Sequence, residues 1–112
     1  MQDLMKKLSM FAKERDWEQF HSPKNLSMAL AVEAAEIMEH FQWLTEEQSR
    51  HLDQKTFEKV KEEIADTQIY LARLADQLGI DPITVANEKL IKNANKYPVE
   101  KAKGSAKKYT EF

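Results

Sequence analysis

Glu33 and Glu36 stand three residues apart, and Glu63 and Asp66 repeat that spacing further along the chain. On an α-helix three residues advance the chain by about 300°, so each pair projects from nearly one face, a turn apart. Two such helices side by side would bring four carboxylates onto one patch. Like charges repel at that range, and each carboxylate resists leaving water. A divalent cation removes both penalties. Donors that are all oxygen, with no His or Cys among them, favour Mg²⁺ or Mn²⁺ over zinc. Glutamates at i, i+3 also decorate ordinary solvated helix faces, where they hold nothing. Two features set this pair apart from that background. Small residues (Ala29, Ala34) and Val32 lie around Glu33, as they would against a closely packed neighbour. No lysine occurs between Asn25 and Trp43, whereas a solvated face normally mixes both signs.

The elements that must position these groups are helices. Leu4, Leu8 and Phe11 recur at i, i+4, i+7 and predict a first helix running to about Arg15 or Trp17. Pro23 breaks the pattern in the connector His21 to Asn25. The segment from Asn25 to Trp43 predicts a second helix, capped by Asn25 or Ser27, with apolar residues on nearly every face. Thr45 and Gln48 fit a capping box for a short helical turn. A third helix is predicted from about Thr56 to Leu78, with an apolar stripe of Phe57, Val60, Ile64, Leu71, Leu74 and Leu78 and a stop at Gly79. Asp81-Pro82 restarts a fourth, carrying Ile83, Val85, Ala86, Leu90 and Ile91 to about Lys96, and Pro98 closes it. Met5, Met10, Met28 and Met38 fall at apolar helical positions and are expected in the core. The fold class is all-α, four helices in a bundle-like arrangement over residues 1–98. Residues 99–112 are expected to form an extended or poorly ordered tail.

Composition bounds the function. A chain of 112 residues, 42% hydrophobic and 32% charged, is one small domain rather than a disordered segment. Seventeen basic against 19 acidic residues, a net charge of −2, argue against a protein that coats nucleic acid polymers. The absence of cysteine removes disulfides, thiolate zinc sites and a cysteine nucleophile. No apolar run is long enough for a membrane span, and the N-terminus does not read as a secretory signal, so the expected compartment is cytoplasmic.

The two carboxylate pairs sit among further motifs: Glu14-Arg15-Asp16-Trp17-Glu18-Gln19-Phe20-His21 with Pro23 and Asn25-Leu26, Phe41-Gln42-Trp43, and Ile69-Tyr70-Leu71. Asn93, Lys96-Tyr97-Pro98 and Lys107-Lys108-Tyr109-Thr110-Glu111 complete the set. Together they resemble the MazG-like all-α nucleotide pyrophosphohydrolases, in the branch of dCTP pyrophosphatases, over nearly the whole chain. The resemblance implies a Mg²⁺-dependent enzyme that cleaves (d)NTPs, with dCTP or a related dNTP preferred, between the α and β phosphates. The products are a nucleoside monophosphate and pyrophosphate, and the role is nucleotide-pool housecleaning. Glu33, Glu36, Glu63 and Asp66 would hold Mg²⁺ (Mn²⁺ as the alternative) and assist attack of water on phosphorus. With no arginine-rich phosphate clamp on the second and third helices, most charge stabilisation falls to the metal.

The same resemblance places Trp17 and Trp43 at the base pocket, where packing alone would otherwise explain a Trp. His21 and Asn25 become candidates for base or sugar contact, although Asn25 is equally suited to capping. Tyr70, one turn beyond Asp66, would meet the sugar or position a carboxylate. Asn93 and Lys96 would reach the triphosphate, against the plainer reading of a solvated stripe. The wide apolar second helix predicts a homo-oligomer, either a dimer or a tetramer. Two rivals remain: a ferritin-like di-metal bundle, which needs Glu-x-x-His motifs that this chain lacks, and a non-catalytic helical interaction module.

Overall fold

With two glycines and three prolines, the chain has few places to leave the helical conformation. The computed structural model describes residues 1–112 and holds helices and turns without a strand. Six α-helices follow one another: α1 (Gln2–Glu14), α2 (Pro23–Glu39), α3 (Glu46–Ser49), α4 (Gln54–Gln77), α5 (Pro82–Lys96) and α6 (Val99–Ala102). Short 3₁₀ turns occupy Glu18–Phe20 and Tyr109–Glu111. The four longest, α1, α2, α4 and α5, are the helices expected from periodicity. The chain divides into two compact units, Met1–Ile80 and Asp81–Phe112.

Local chemistry explains where the helices begin and end. The cap of α2 is neither Asn25 nor Ser27 but Ser22, whose Oγ accepts from Asn25 N at 3.1 Å. Pro23 at the first helical position forces this, because it needs no hydrogen-bond acceptor for its nitrogen and its φ suits the first turn. The capping box at Thr45 and Gln48 forms in both directions, at 3.1 and 3.0 Å. Asp53 caps α4, its Oδ1 accepting from Thr56 N at 2.7 Å. That α4 ends as predicted is a consequence of Gly79, at φ 68°. Gly79 N donates to Asp76 O and Ile80 N to Ala75 O, the paired bonds of a Schellman motif.

In the first unit α2 packs along α4, and α1 packs against α4. Ala12, Leu26, Val60, Ala72 and Ala75 are buried between them, Leu26 being the largest fully buried side chain. A core with three alanines lets the helix axes approach closely. It is also narrower than the periodicity predicts. Met10, Met28 and Met38, expected inside, are exposed, and so are Phe57, Ile64, Leu71 and Leu78 of the α4 stripe. The apolar surface of α2 and α4 is wider than the contact between these helices covers.

In the second unit, Asp81 Oδ1 accepts from Ile83 N at 3.0 Å and Thr84 N at 3.3 Å, starting α5 with Pro82 in its first turn. Residues 99–112 are not simply extended. Besides α6 and the final 3₁₀ turn, Tyr109 and Phe112 set their rings edge-on to Tyr97, with centroids 6.0 and 5.8 Å away. Three aromatic rings supply the local attraction that a count of apolar residues in the tail overlooks.

Candidate active site

The i, i+3 spacing on α2 and the packing of α2 on α4 together bring three carboxylates into one place. Glu33, Glu36 and Glu63 each offer an oxygen, and these oxygens lie within 4.8 Å of one another. All three side chains are half-buried. Asp66 remains exposed outside this group, yet its charge is among those acting on Glu33. Desolvation, carboxyl contact with Glu36 and the charges of Glu36, Asp66 and Glu63 push the Glu33 carboxyl up to about 7. Contact with Glu36 and burial raise Glu63 too, while His40 acts in the opposite direction. Glu33 Oε2 is buried with no hydrogen-bond partner.

A proton on Glu33 is one answer to this crowding, and a cation is the other. The orphaned oxygen, the all-carboxylate donors and the raised proton affinities fit a hard divalent ion. His40, which ends α2, approaches the cluster through Nε2, 3.7 Å from Glu63 Oε1. Its position was legible only as the seventh residue after Glu33. Contact with the opposite helix depends on how α2 crosses α4.

Further along α4, from one turn beyond Asp66, the helix contributes to a pocket of about 330 Å³. Leu8, Phe11 and Ala12 of α1 form one wall, and Trp17 and His21 of the following segment form another. The third comes from α4, through Ile69, Tyr70 and Arg73. The connection from α1 is specifically built. Asp16 takes φ 55°, while Asp16 N donates to Lys13 O and Trp17 N to Ala12 O, a second Schellman motif with aspartate in place of glycine. Gln19 Nε2 donates to both Asp16 O and Asp16 Oδ2, bracing that residue. The turn delivers Trp17 to the pocket with its ring edge-on to Phe11 at 5.6 Å and to His21 at 6.5 Å.

Three of the sequence-predicted nucleotide contacts, Trp17, His21 and Tyr70, therefore share one pocket. Asn25 stays close in the chain but serves the backbone, its Nδ2 donating to Phe20 O at 3.1 Å. Trp43 is 88% exposed and does not line this pocket. Asn93 and Lys96 belong to the second unit, where Lys96 Nζ stands 4.8 Å above the Tyr109 ring. Arg73 escaped the reading of the sequence. It occupies an apolar-facing position of α4, is 3% exposed, and donates from Nε to His21 Nδ1 at 3.3 Å and from Nη1 to Asp76 Oδ2 at 3.2 Å. Accepting through Nδ1 requires a neutral imidazole protonated on Nε2. Burial and the neighbouring guanidinium accordingly lower the His21 pKa.

A helical scaffold carrying a three-glutamate cluster next to an aromatic pocket defines a class of small all-α proteins with an acidic centre. Residues 28–112 match the model of the MazG-like family, and the chain belongs to that family. Among its relatives, dCTP pyrophosphatase 1 of Mus musculus is 40% identical over 114 aligned positions, covering 100% of this chain and 67% of that protein. The Homo sapiens dCTP pyrophosphatase 1 is 38% identical with the same coverage. A solved pyrophosphatase from Archaeoglobus fulgidus superposes with a TM-score of 0.82 at 38% identity, covering 88% of this chain and 92% of that one.

Proposed function

We propose that this protein is a Mg²⁺-dependent nucleoside triphosphate pyrophosphohydrolase. It splits dCTP or a related dNTP into the monophosphate and pyrophosphate. The observation that carries this reading is the convergence of Glu33, Glu36 and Glu63, with one buried oxygen unpaired, on helices that also carry, one turn beyond Asp66 on α4, the Tyr70 wall of a pocket shared with Trp17. The dCTP pyrophosphatases among the relatives support the substrate class.

Glu33, Glu36 and Glu63 would hold the metal, with Asp66 on the same stripe of α4 as a fourth ligand. When bound, Mg²⁺ offsets phosphate charge and lowers the cost of generating the attacking oxygen nucleophile. The carboxylates keep that charge where the phosphoanhydride must lie, and a carboxylate not engaged by the metal accepts the proton of the attacking water. Trp17 and Tyr70 offer aromatic faces for the base and sugar, while the apolar walls exclude competing water. His21 presents Nε2–H as a further donor. His40, one turn beyond Glu36 at the end of α2, steadies Glu63 across the contact with α4.

A homo-oligomer in the cytoplasm completes the proposal. Phe57, Ile64, Leu71 and Leu78 repeat every seven residues along α4 and are all 43–53% exposed, the pattern of a helix seam awaiting a partner. No helix of the chain is long and apolar enough to cross a membrane.

The direct test is a panel of dNTPs and NTPs with Mg²⁺, in which pyrophosphate, orthophosphate and monophosphate are followed separately. Equimolar monophosphate and pyrophosphate are expected, fastest with dCTP or a close relative. Orthophosphate as the sole inorganic product, or full activity in Glu36→Ala, would overturn the reading.

A further inference from the structure

Arg73 is a buried cation in a wall that is otherwise almost hydrocarbon. It lies three residues beyond Tyr70 and seven beyond Asp66 on α4, so it continues the same stripe about 10 Å further along the axis. Its guanidinium is held at two corners, by His21 Nδ1 at Nε and by Asp76 Oδ2 at Nη1. The third corner, Nη2, is buried and has no partner. A planar fork tied at two nitrogens cannot swing its remaining N–H groups away to find solvent. An unpaired buried donor is destabilising, more so when charged, and because Arg73 is one of the residues lining the pocket, a ligand acceptor entering there is the group that would satisfy Nη2.

The chemistry of that acceptor is set by the rest of the pocket. Leu8, Phe11, Ala12, Trp17 and Ile69 form apolar and aromatic walls. Such walls are costly for a phosphate chain and favourable for a flat heterocycle stacked on Trp17. On the reading of this site as a nucleotide site, we infer that Arg73 is its base-reading residue. Nη2 donates to a nucleobase carbonyl, O2 of a pyrimidine, and makes the pocket selective for bases that carry one. His21 and Asp76 act through Arg73, as positioning residues that fix the direction of its free edge. A charged donor meeting a carbonyl in an apolar-walled pocket gives specificity that apolar contact alone does not, because a base without the acceptor leaves Nη2 unpaired.

The test compares dCTP with 2-thio-dCTP, whose sulfur is a poor acceptor at the same position, in the full-length wild-type protein and in Arg73→Met. Wild type is expected to show a KM about 10- to 100-fold higher for the thio analogue. In Arg73→Met the KM for dCTP should rise into that range while the KM for 2-thio-dCTP changes little, so the discrimination disappears. A role confined to holding the fold would weaken both substrates equally, and that result overturns the inference. So does a wild-type protein that treats the two alike, a measurement independent of whether the variant folds. Preference for dATP, whose base has no carbonyl, also overturns it. Pyrophosphate release from dCTP without the thio effect removes only the assignment of Arg73. Failure to release pyrophosphate from any triphosphate removes the nucleotide reading together with it.

Discussion

Glu33 ties the acidic cluster to pH. Its carboxyl is raised from 4.5 to about 7 in the folded protein, with desolvation the first cause and Glu36 the next. Between those values the folded chain holds a proton that the unfolded chain has lost, so stability falls as pH rises through that window. Metal-free protein should therefore melt at a higher temperature near pH 5 than near pH 8. Glu33→Gln should flatten the difference and raise the melting temperature at pH 8, as measured by thermal melts in EDTA. An unchanged slope in the variant would place the strain elsewhere. Since Mg²⁺ displaces that proton, its affinity should climb across the same window, which calorimetric titration at several pH values can check. Trp17 has a separate signature. Trp17→Ala should raise the substrate KM by about 10-fold or more, in line with base–aromatic stacking, and leave metal affinity nearly unchanged. A loss of metal affinity instead would mean that the pocket and the carboxylates do not divide the work as described.

The helices place these residues, and their boundaries are where the chain is most sensitive to backbone chemistry. Asp16 adopts φ 55°, a conformation that a β-branched residue strongly resists. Asp16→Val should cost about 1–2 kcal/mol through the backbone and, by displacing Trp17, should also raise KM. Ser22→Ala removes the cap of α2 and should cost about 1 kcal/mol, a fall in Tm of several degrees by differential scanning calorimetry. Leu26→Ala should be far more damaging, about 2–5 kcal/mol, because Leu26 is the largest side chain fully enclosed in the core. Most of these elements were legible in the sequence: Gly79 as the stop of α4, Asp81-Pro82 as the start of α5, and Thr45 with Gln48 as a capping box. The turn at Asp16 was not, since aspartate enters the left-handed region only when its neighbours hold it there. Nor was the cap at Ser22, because Asn25 and Ser27 are cap residues of equal quality and only Pro23 at the first helical position decides between them.

At the scale of the molecule, apolar surface outruns the core. Leu90 and Ile91 of α5 are each 67% exposed, and the α4 seam is exposed along its length. A chain of 13.1 kDa with this surface should sediment as a multiple of that mass. Phe57→Glu, placing a charge in the seam, should shift the distribution toward smaller species in analytical ultracentrifugation. A wild-type protein that stays monomeric at micromolar concentration would show that the seam has no partner of its own kind.

The order of residues alone determined the all-α class, the helix segments and the two carboxylate pairs, because periodicity and capping are local properties read over a few turns. It also held the motifs that mark the MazG-like family. Which carboxylates meet was decided by the packing of α2 on α4, which gathers Glu33, Glu36 and Glu63, adds His40, and leaves Asp66 at the exposed edge. The same packing turned Arg73, an ordinary letter in an apolar stripe, into a buried guanidinium with one unpaired nitrogen. Spacing along a helix fixes which side chains share a face; it does not fix the rotation and offset of one helix on another. That relation comes from burying the apolar faces together, and here it separates a row of acids from a site.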